Sequence, residues 1–395
     1  MSSSGTAAGV ADQIARHGFV APDYTGRSLA AVLPAAAGAL QTPEPTGDFE
    51  RARRLLGLDT ADRVCVVLVD GLGFENLRER SGHAPFLRSL LDEDAQLTCG
   101  FPSTTAASIG ILGTGSCPGR TGMLGYTVRE PSTGGLANLV SWEGATEPTT
   151  MQREETVFER MSAAGRSVTS VGPSRFAQSG LTQAALRGGF HRGAESLADR
   201  VDVTAYELMA PGLVYLYWGD VDKIGHHHGS ESRAWGDELE RTDRELARLA
   251  RVLPRGTQII VTADHGMIDV DRARRWDVAA TQGLAEGVKL VAGEPRAVHV
   301  HARKPEGVAG IVDRWRDVLG DGALVAPKDE IIEAGLLGPV SDHVYPYIGD
   351  VVVAVTGRGT IVDSRTQTAR SLDLVGVHGS LTPREMRVPF LTLTV

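Results

Sequence analysis

Arg63-Val-Cys-Val-Val-Leu-Val-Asp70 constrains the fold most: a continuous β-branched run of this kind fits a strand covered on both faces. Gly71-Leu-Gly73 then turns the chain into Phe74-Glu-Asn-Leu-Arg-Glu-Arg80, a predicted helix. The same grammar recurs at Ser167-Val-Thr-Ser-Val-Gly172, Gly212-Leu-Val-Tyr-Leu-Tyr217 and Thr257-Gln-Ile-Ile-Val-Thr-Ala263, with helical patterns between them such as 234–253. Strands alternating with helices predict an α/β fold, a mostly parallel central sheet with helices on both faces. The 47 glycines suit its tight strand-to-helix turns.

Around this core, residues 1–62 are rich in Ala, Pro and Gly and read as an N-terminal extension with short helices, ending at Phe49-Glu-Arg-Ala-Arg-Arg-Leu-Leu-Gly57. Residues 63–395 read as one large α/β domain. The stretch 270–345 differs in pattern. Its segment 293–302 looks like a strand, 307–319 and 329–337 look helical, and together they predict a small α+β insertion lying over the site.

Ligands of parallel sheets collect outside the carboxyl ends of the strands. Asp70, Asp222 and Asp264 all fall there, which brings them together however distant they are in sequence. In Asp222-Lys-Ile-Gly-His226 the spacing of four puts a carboxylate and an imidazole on one face of a helical turn, where both can grip one divalent ion. An N-cap aspartate with a surface histidine fits that spacing equally. Asp264 and His265 are neighbours that can both turn inward at a strand's end. His378 adds an imidazole near the C-terminus. In Gly100-Phe-Pro-Ser-Thr-Thr-Ala-Ala-Ser108 the hydroxyls of Thr104 and Thr105 precede a predicted helix over 105–112, whose N-terminus offers free N–H groups to an anion. A hydroxyl there that also meets a metal ion becomes a usable nucleophile, whereas simple N-capping is its common structural role. Carboxylates, imidazoles and a hydroxyl together suggest hydrolysis at phosphorus.

The formal charge of −9 is spread along the chain, which argues against a nucleic-acid polymer as partner. Cys65, Cys99 and Cys117 form no CxxC pair and read as buried thiols. No basic-then-apolar leader opens the sequence, and no apolar run approaches roughly 18 residues. The expectation is a soluble, cytoplasmic protein with no membrane partner.

Phe101-Pro-Ser-Thr-Thr105, followed by Gly113-Thr-Gly115, Pro118 and Gly122, resembles the nucleophile region of the type I phosphodiesterase/nucleotide pyrophosphatase branch of the alkaline phosphatase superfamily. The other motifs follow in that family's order, and the resemblance covers about 63–395. It implies an alkaline phosphatase-like fold and two divalent ions, zinc by type. One ion would be held by Asp222, His226 and His378, the other by Asp70, Asp264, His265 and Thr105. It also implies in-line attack by Thr105, with Thr104 as runner-up, a phosphothreonine intermediate that water hydrolyses, and a small-molecule phosphate ester as substrate.

Two positions depart from the family pattern. Ser108 stands where the family carries an Asn beside the phosphate, and Ala106 where an aromatic often stacks on a base. Backbone N–H groups near Ala106 would hold a phosphoryl oxygen, and Tyr126, Asn138 and Trp142 are expected to line the pocket. A phosphomonoesterase or a phosphonate C–P hydrolase is the alternative on the same scaffold, and Lys223, Arg120 or Arg175 could supply the cations that either needs. A phosphomutase and a non-catalytic binding protein are further readings. His227 and His228 are expected to face solvent, and His299 and His301 to be surface or lid residues.

Overall fold

The computed structural model describes residues 9–395; the first eight residues of the expected N-terminal extension lie outside the described residues. Seven strands make the central sheet: β1 (Arg63–Val69), β2 (Gln96–Thr98), β3 (Val168–Gly172), β4 (Phe190–Gly193), β5 (Gly212–Trp218), β6 (Thr257–Thr262) and β7 (Arg387–Thr394). Their spatial order is β2-β7-β6-β1-β5-β3-β4. The five strands from β6 to β4 run parallel, while β7 and β2 form an antiparallel edge. β1 lies centrally, and Val64 through Val69 are fully buried, as the uninterrupted apolar run requires. Helices flank the sheet, among them the amphipathic Arg233–Val252, which buries Trp235, Leu239, Leu246 and Leu249.

Register decides where the functional groups meet. Val69 of β1 is paired with Trp218 of β5, and Leu68 with Thr262 of β6, so three parallel strands end at one level. Asp70, the helix Asp220–His228 and Ala263-Asp264-His265 start from that common edge.

A second, six-stranded antiparallel sheet stands outside the first. Its order is Ala323–Pro327, Val351–Val355, Ala297–Ala302, Val288–Glu294, Thr127–Arg129 and Leu136–Asn138. It therefore draws strands from both sides of 270–345 as well as from within it. One face packs on the helix Val308–Leu319 through Val298, Val300, Ile311 and Trp315, a core separate from the main one. The segment 293–302 is a hairpin rather than one strand, because Pro295 cannot donate to the ladder and Gly293 takes φ +97°. The helix expected over 329–337 stops at Glu333, ahead of Gly335 in the left-handed region. His299 and His301 correct their sequence reading. They are 1% and 4% exposed, since their strand is covered on both faces.

The N-terminal segment is woven into the main core. Every residue of the helix Val32–Ala39 is buried. Val20 N–H donates to Leu381 O, and the Tyr24 hydroxyl donates to Leu336 O.

Candidate metal centre

Three loops and one helix start deliver the polar groups. Gly71, at φ +72°, makes the turn after Asp70, and a Cβ there would lie 2.8 Å from Asp222 Cβ. Its amide donates to Asp264 Oδ1 at 3.0 Å, as does the amide of His265. His378 arrives through the short ladder of Gly376–Val377 against Ile268–Asp269, which sets it beside His265. The two imidazole rings stack at 3.5 Å. The turn before Thr105 is tied to the same segment: Ser103 N–H donates to Gly379 O and its hydroxyl to Ser380 O.

Thr105 opens a helix running Thr105–Thr114, two residues beyond the predicted end. Its Oγ1 is 3.2 Å from His265 Nε2. His265 Nε2 is 3.5 Å from Asp70 Oδ1 and 3.4 Å from Asp264 Oδ2. His226 Nε2 is 3.2 Å from Asp222 Oδ2, and His378 Nε2 is 3.9 Å from Asp222 Oδ1. All seven residues expected around the ions thus lie in one place. Ligand atoms of Asp70, Asp264 and His265 fall within 4.8 Å of one another, as do those of Asp222, His265 and His378. His226 touches the second group through Asp222 and stands with its ring 5.2 Å from that of His378.

Two features of this cluster fit divalent ions. First, one buried oxygen on each aspartate, Asp70 Oδ1, Asp222 Oδ1 and Asp264 Oδ2, has no hydrogen-bond donor. Buried carboxylate oxygens without donors are costly unless a cation meets them. Second, Nδ1 of each histidine faces a backbone carbonyl: Gly376 O at 2.7 Å from His226, Gly266 O at 3.0 Å from His265 and Ser103 O at 2.9 Å from His378. A carbonyl only accepts, so Nδ1 carries a hydrogen and Nε2 is the nitrogen turned inward, the arrangement metal-binding imidazoles use.

The buried charges also set one another's protonation. Burial, then the neighbouring carboxylates of Asp264 and Asp222, push Asp70 well above the ordinary carboxylate range. For Asp222 burial acts upward, but His226 overrides it and holds the group below that range. Burial would lower His226, yet the Asp222 carboxylate carries it up to about 9. Burial and His265 press His378 well below its ordinary value, leaving its imidazole neutral.

A cavity of about 880 Å³ opens over the cluster, lined by Thr104, Thr105, Tyr126, Asn138 and Lys223 among others, and roofed by the outer sheet. Tyr126 and Asn138 are thus among the residues that face it. Ala106, Ser108 and Trp142 do not line it. Ala106 and Ser108 are fully buried on the packed face of the Thr105 helix, and the Trp142 indole donates to Thr146 O. Arg175 and Lys223 line the cavity, whereas Arg120 points away and pairs with Glu154. Sequence reasoning missed Tyr217, whose hydroxyl donates to Asp70 Oδ2 at 2.5 Å. It also missed Glu294, buried beside the Thr105 turn.

Among proteins of known sequence, human ectonucleotide pyrophosphatase/phosphodiesterase family member 5 is 34% identical over 76 residues, covering 18% of this chain and 16% of that protein. Mouse family member 7 is 35% identical over 65 residues, 15% of each. The chain thus spans about one sixth of the length of these relatives. Among solved structures, murine ectonucleotide pyrophosphatase/phosphodiesterase 5 superposes with a TM-score of 0.67 at 18% identity, over 84% of this chain and 87% of that one. An inactive threonine-to-alanine variant of the murine protein in complex with AMP gives 0.64, with the same identity and coverage. Phosphonoacetate hydrolase from Sinorhizobium meliloti 1021, in complex with phosphonoformate, gives 0.65 at 20% identity, over 84% and 89%. At such identities these structures share the fold. The model of the type I phosphodiesterase/nucleotide pyrophosphatase family matches residues 64–381, and the chain belongs to that family.

Proposed function

We propose that the protein is a metal-dependent phosphoric ester hydrolase of the phosphodiesterase/nucleotide pyrophosphatase type, with Thr105 as its covalent nucleophile. The observation that carries this reading is the convergence of three donor-free carboxylate oxygens and three inward-facing Nε2 atoms beside Thr105 Oγ1. In this reading Asp222, His226 and His378 hold one divalent ion, and Asp70, Asp264, His265 and Thr105 the other. Mixed imidazole and carboxylate donors suit zinc. When bound, such ions acidify a hydroxyl and polarise phosphoryl oxygens.

The chain's own groups do the rest. His265 Nε2 and Thr105 Oγ1, 3.2 Å apart, are placed to share one ion, which fixes where the hydroxyl stands. Thr105 Oγ attacks phosphorus in line, the P–O bond to the leaving alcohol breaks, and phosphothreonine forms. The first N–H groups of the Thr105 helix, at Ala106 and beyond, hold a non-bridging oxygen. Water then attacks the same phosphorus and releases Thr105. Residues 63–395 act as the catalytic domain, with 270–345 contributing to the cover over the site.

The inactive threonine-to-alanine variant that binds AMP, on the same fold, supports a nucleotide-type ligand. A second reading is a phosphonate or monoester hydrolase, favoured by Arg175 and Lys223, which line the cavity with no ion pair among the described residues. Three free cysteines suit a cytoplasmic, reducing compartment. No described helix is long and apolar enough to cross a membrane.

The test is release of p-nitrophenol from bis-p-nitrophenyl phosphate, p-nitrophenyl phosphate and thymidine 5'-p-nitrophenyl phosphate by zinc-loaded protein, with Thr105→Ala as control. A preference for the diesters, abolished in the control, is expected. Preference for the monoester moves the assignment to a phosphatase, and no turnover of any of the three removes the phosphodiesterase reading.

A further inference from the structure

Thr104 occupies the N-cap position of the Thr105 helix with extended backbone, φ −139° and ψ 151°, yet its hydroxyl does not cap that helix. A threonine there ordinarily gives its oxygen to the N2 or N3 amide. Thr104 is 1% exposed and lines the cavity beside Thr105. Its hydroxyl is therefore placed against the site without the usual local partner.

Glu294 explains the orientation. It ends the outer-sheet strand Val288–Glu294, is 5% exposed, and lines the same cavity. The Tyr126 amide donates to its Oε2 at 2.8 Å. Its Oε1 is buried with no hydrogen-bond partner among the described residues, and the Thr104 hydroxyl acts on the same carboxyl, drawing its pKa downward. Gly379, at φ +134°, leaves room for it: a Cβ there would stand 2.6 Å from Glu294 Cγ. The carboxyl is thus fixed between Tyr126, Thr104 and the residue after His378.

We propose that Thr104 is a second phosphoryl-binding hydroxyl of the site, donating to a non-bridging oxygen of the substrate, and that Glu294 is its positioning residue. A hydroxyl has one hydrogen and can accept as well as donate. If the Glu294 O–H donates to Thr104 Oγ, the hydrogen of Thr104 is left for the cavity. Burial pushes Glu294 up to about 8, against the Tyr126 amide and the Thr104 hydroxyl, which keeps it a donor at neutral pH. The inference rests on the phosphoryl-transfer reading of the cavity.

The experiment compares full-length zinc-loaded protein with Thr104→Val, Thr104→Ser, Glu294→Ala, Glu294→Gln and the Thr104→Val/Glu294→Ala double variant. Inorganic phosphate binding is read by calorimetry, and KM and kcat with bis-p-nitrophenyl phosphate. Thr104→Val is expected to weaken phosphate and raise KM by about ten-fold or more, the loss of one hydrogen bond to a charged oxygen. Thr104→Ser restores both. Glu294→Gln, which can still donate to Thr104, stays within about three-fold of wild type, and Glu294→Ala adds nothing once Thr104 is Val. Wild-type phosphate binding by Thr104→Val, or additive losses in the double variant, overturns the proposal. If Glu294→Ala does not fold, the Thr104 pair and Glu294→Gln decide it. Phosphate binding that depends on Thr104 in a protein that turns over no ester keeps this proposal and removes the hydrolase reading. Turnover unaffected by Thr104→Val does the reverse.

Discussion

The Tyr217 hydroxyl donates to Asp70 Oδ2, which leaves Asp70 Oδ1 as the oxygen turned toward the cluster. Outer partners of this sort fix the orientation of a ligand, and their loss typically lowers metal affinity about 10–100-fold. Tyr217→Phe is therefore expected to release zinc to a chelator at a 10–100-fold lower competitor concentration while melting close to wild type in the metal-free form. Equal zinc retention would leave Tyr217 as packing only. Asp70, Asp264 and His265 were legible because each ends a parallel strand, a position that parallel topology turns into a shared site. Tyr217 was not, because in Gly212-Leu-Val-Tyr-Leu-Tyr217 it looks like one more apolar strand residue, and only the register of β5 against β1 brings its tip to Asp70. The same blindness covers Gly71. Its turn can be read from sequence, but the approach of the Asp222 backbone that forbids a side chain there belongs to the fold. Gly71→Ala combines a left-handed backbone cost of about 1–2 kcal/mol with that clash. Urea unfolding should show a loss at least that large, and zinc binding should weaken with it.

Among elements, the hairpin tip at Pro295-Arg296 joins the outer sheet to the body that carries the cluster. Arg296 and Glu385 form a fully buried ion pair at 2.8 Å. Arg296 also donates to Gly359 O, and Glu385 accepts from the Ser380 amide, two residues after His378. Truncating one partner strands the other charge, at about 3–5 kcal/mol. Arg296→Ala is expected to lose that much in equilibrium unfolding, whereas replacing both partners with apolar residues recovers part of it. The outer sheet also carries an acid sensitivity. Burial lowers His299 to about 4 from an ordinary 6.5. Burial, then His299, Arg129, Lys328 and Lys289, lower His301 to about 3. Folded values below the unfolded one mean that this stability is intact above pH 6.5 and is lost as pH falls from there toward 4 and 3. Between pH 7 and 4.5 the loss is about 2–3 kcal/mol per histidine. A His299→Gln/His301→Gln variant should flatten that slope in urea titrations, and an unchanged slope would assign it to other groups. Alternation along Val298-His299-Val300-His301 was legible. That both faces of the strand are covered was not, because the cover comes from remote segments.

On the scale of the molecule, the cluster is a place where the fold concentrates like charge. Asp70 and Asp264 are nearly or wholly buried, Asp222 mostly so, and the carboxylate oxygens converge on the same imidazoles. Parallel topology makes this unavoidable, since strands that share a carboxyl edge deliver their terminal aspartates to one level. Without an ion, the arrangement opposes folding through desolvation and mutual repulsion. On the proposed reading ions held by the same groups would reverse this, and zinc at 100-fold over its dissociation constant would add about 2.7 kcal/mol for each site. Asp70→Asn should therefore reverse sign with conditions. The amide keeps an acceptor for the Tyr217 hydroxyl and removes one charge from beside Asp264 and Asp222. In EDTA the variant is expected to melt above wild type. In excess zinc wild type should gain stability with the logarithm of free zinc and overtake the variant, whose own gain is smaller. Thermal melts in both conditions read the crossing directly. A variant that melts below wild type in EDTA as well would show that Asp70 contributes to the metal-free fold through its hydrogen bonds rather than opposing it through its charge.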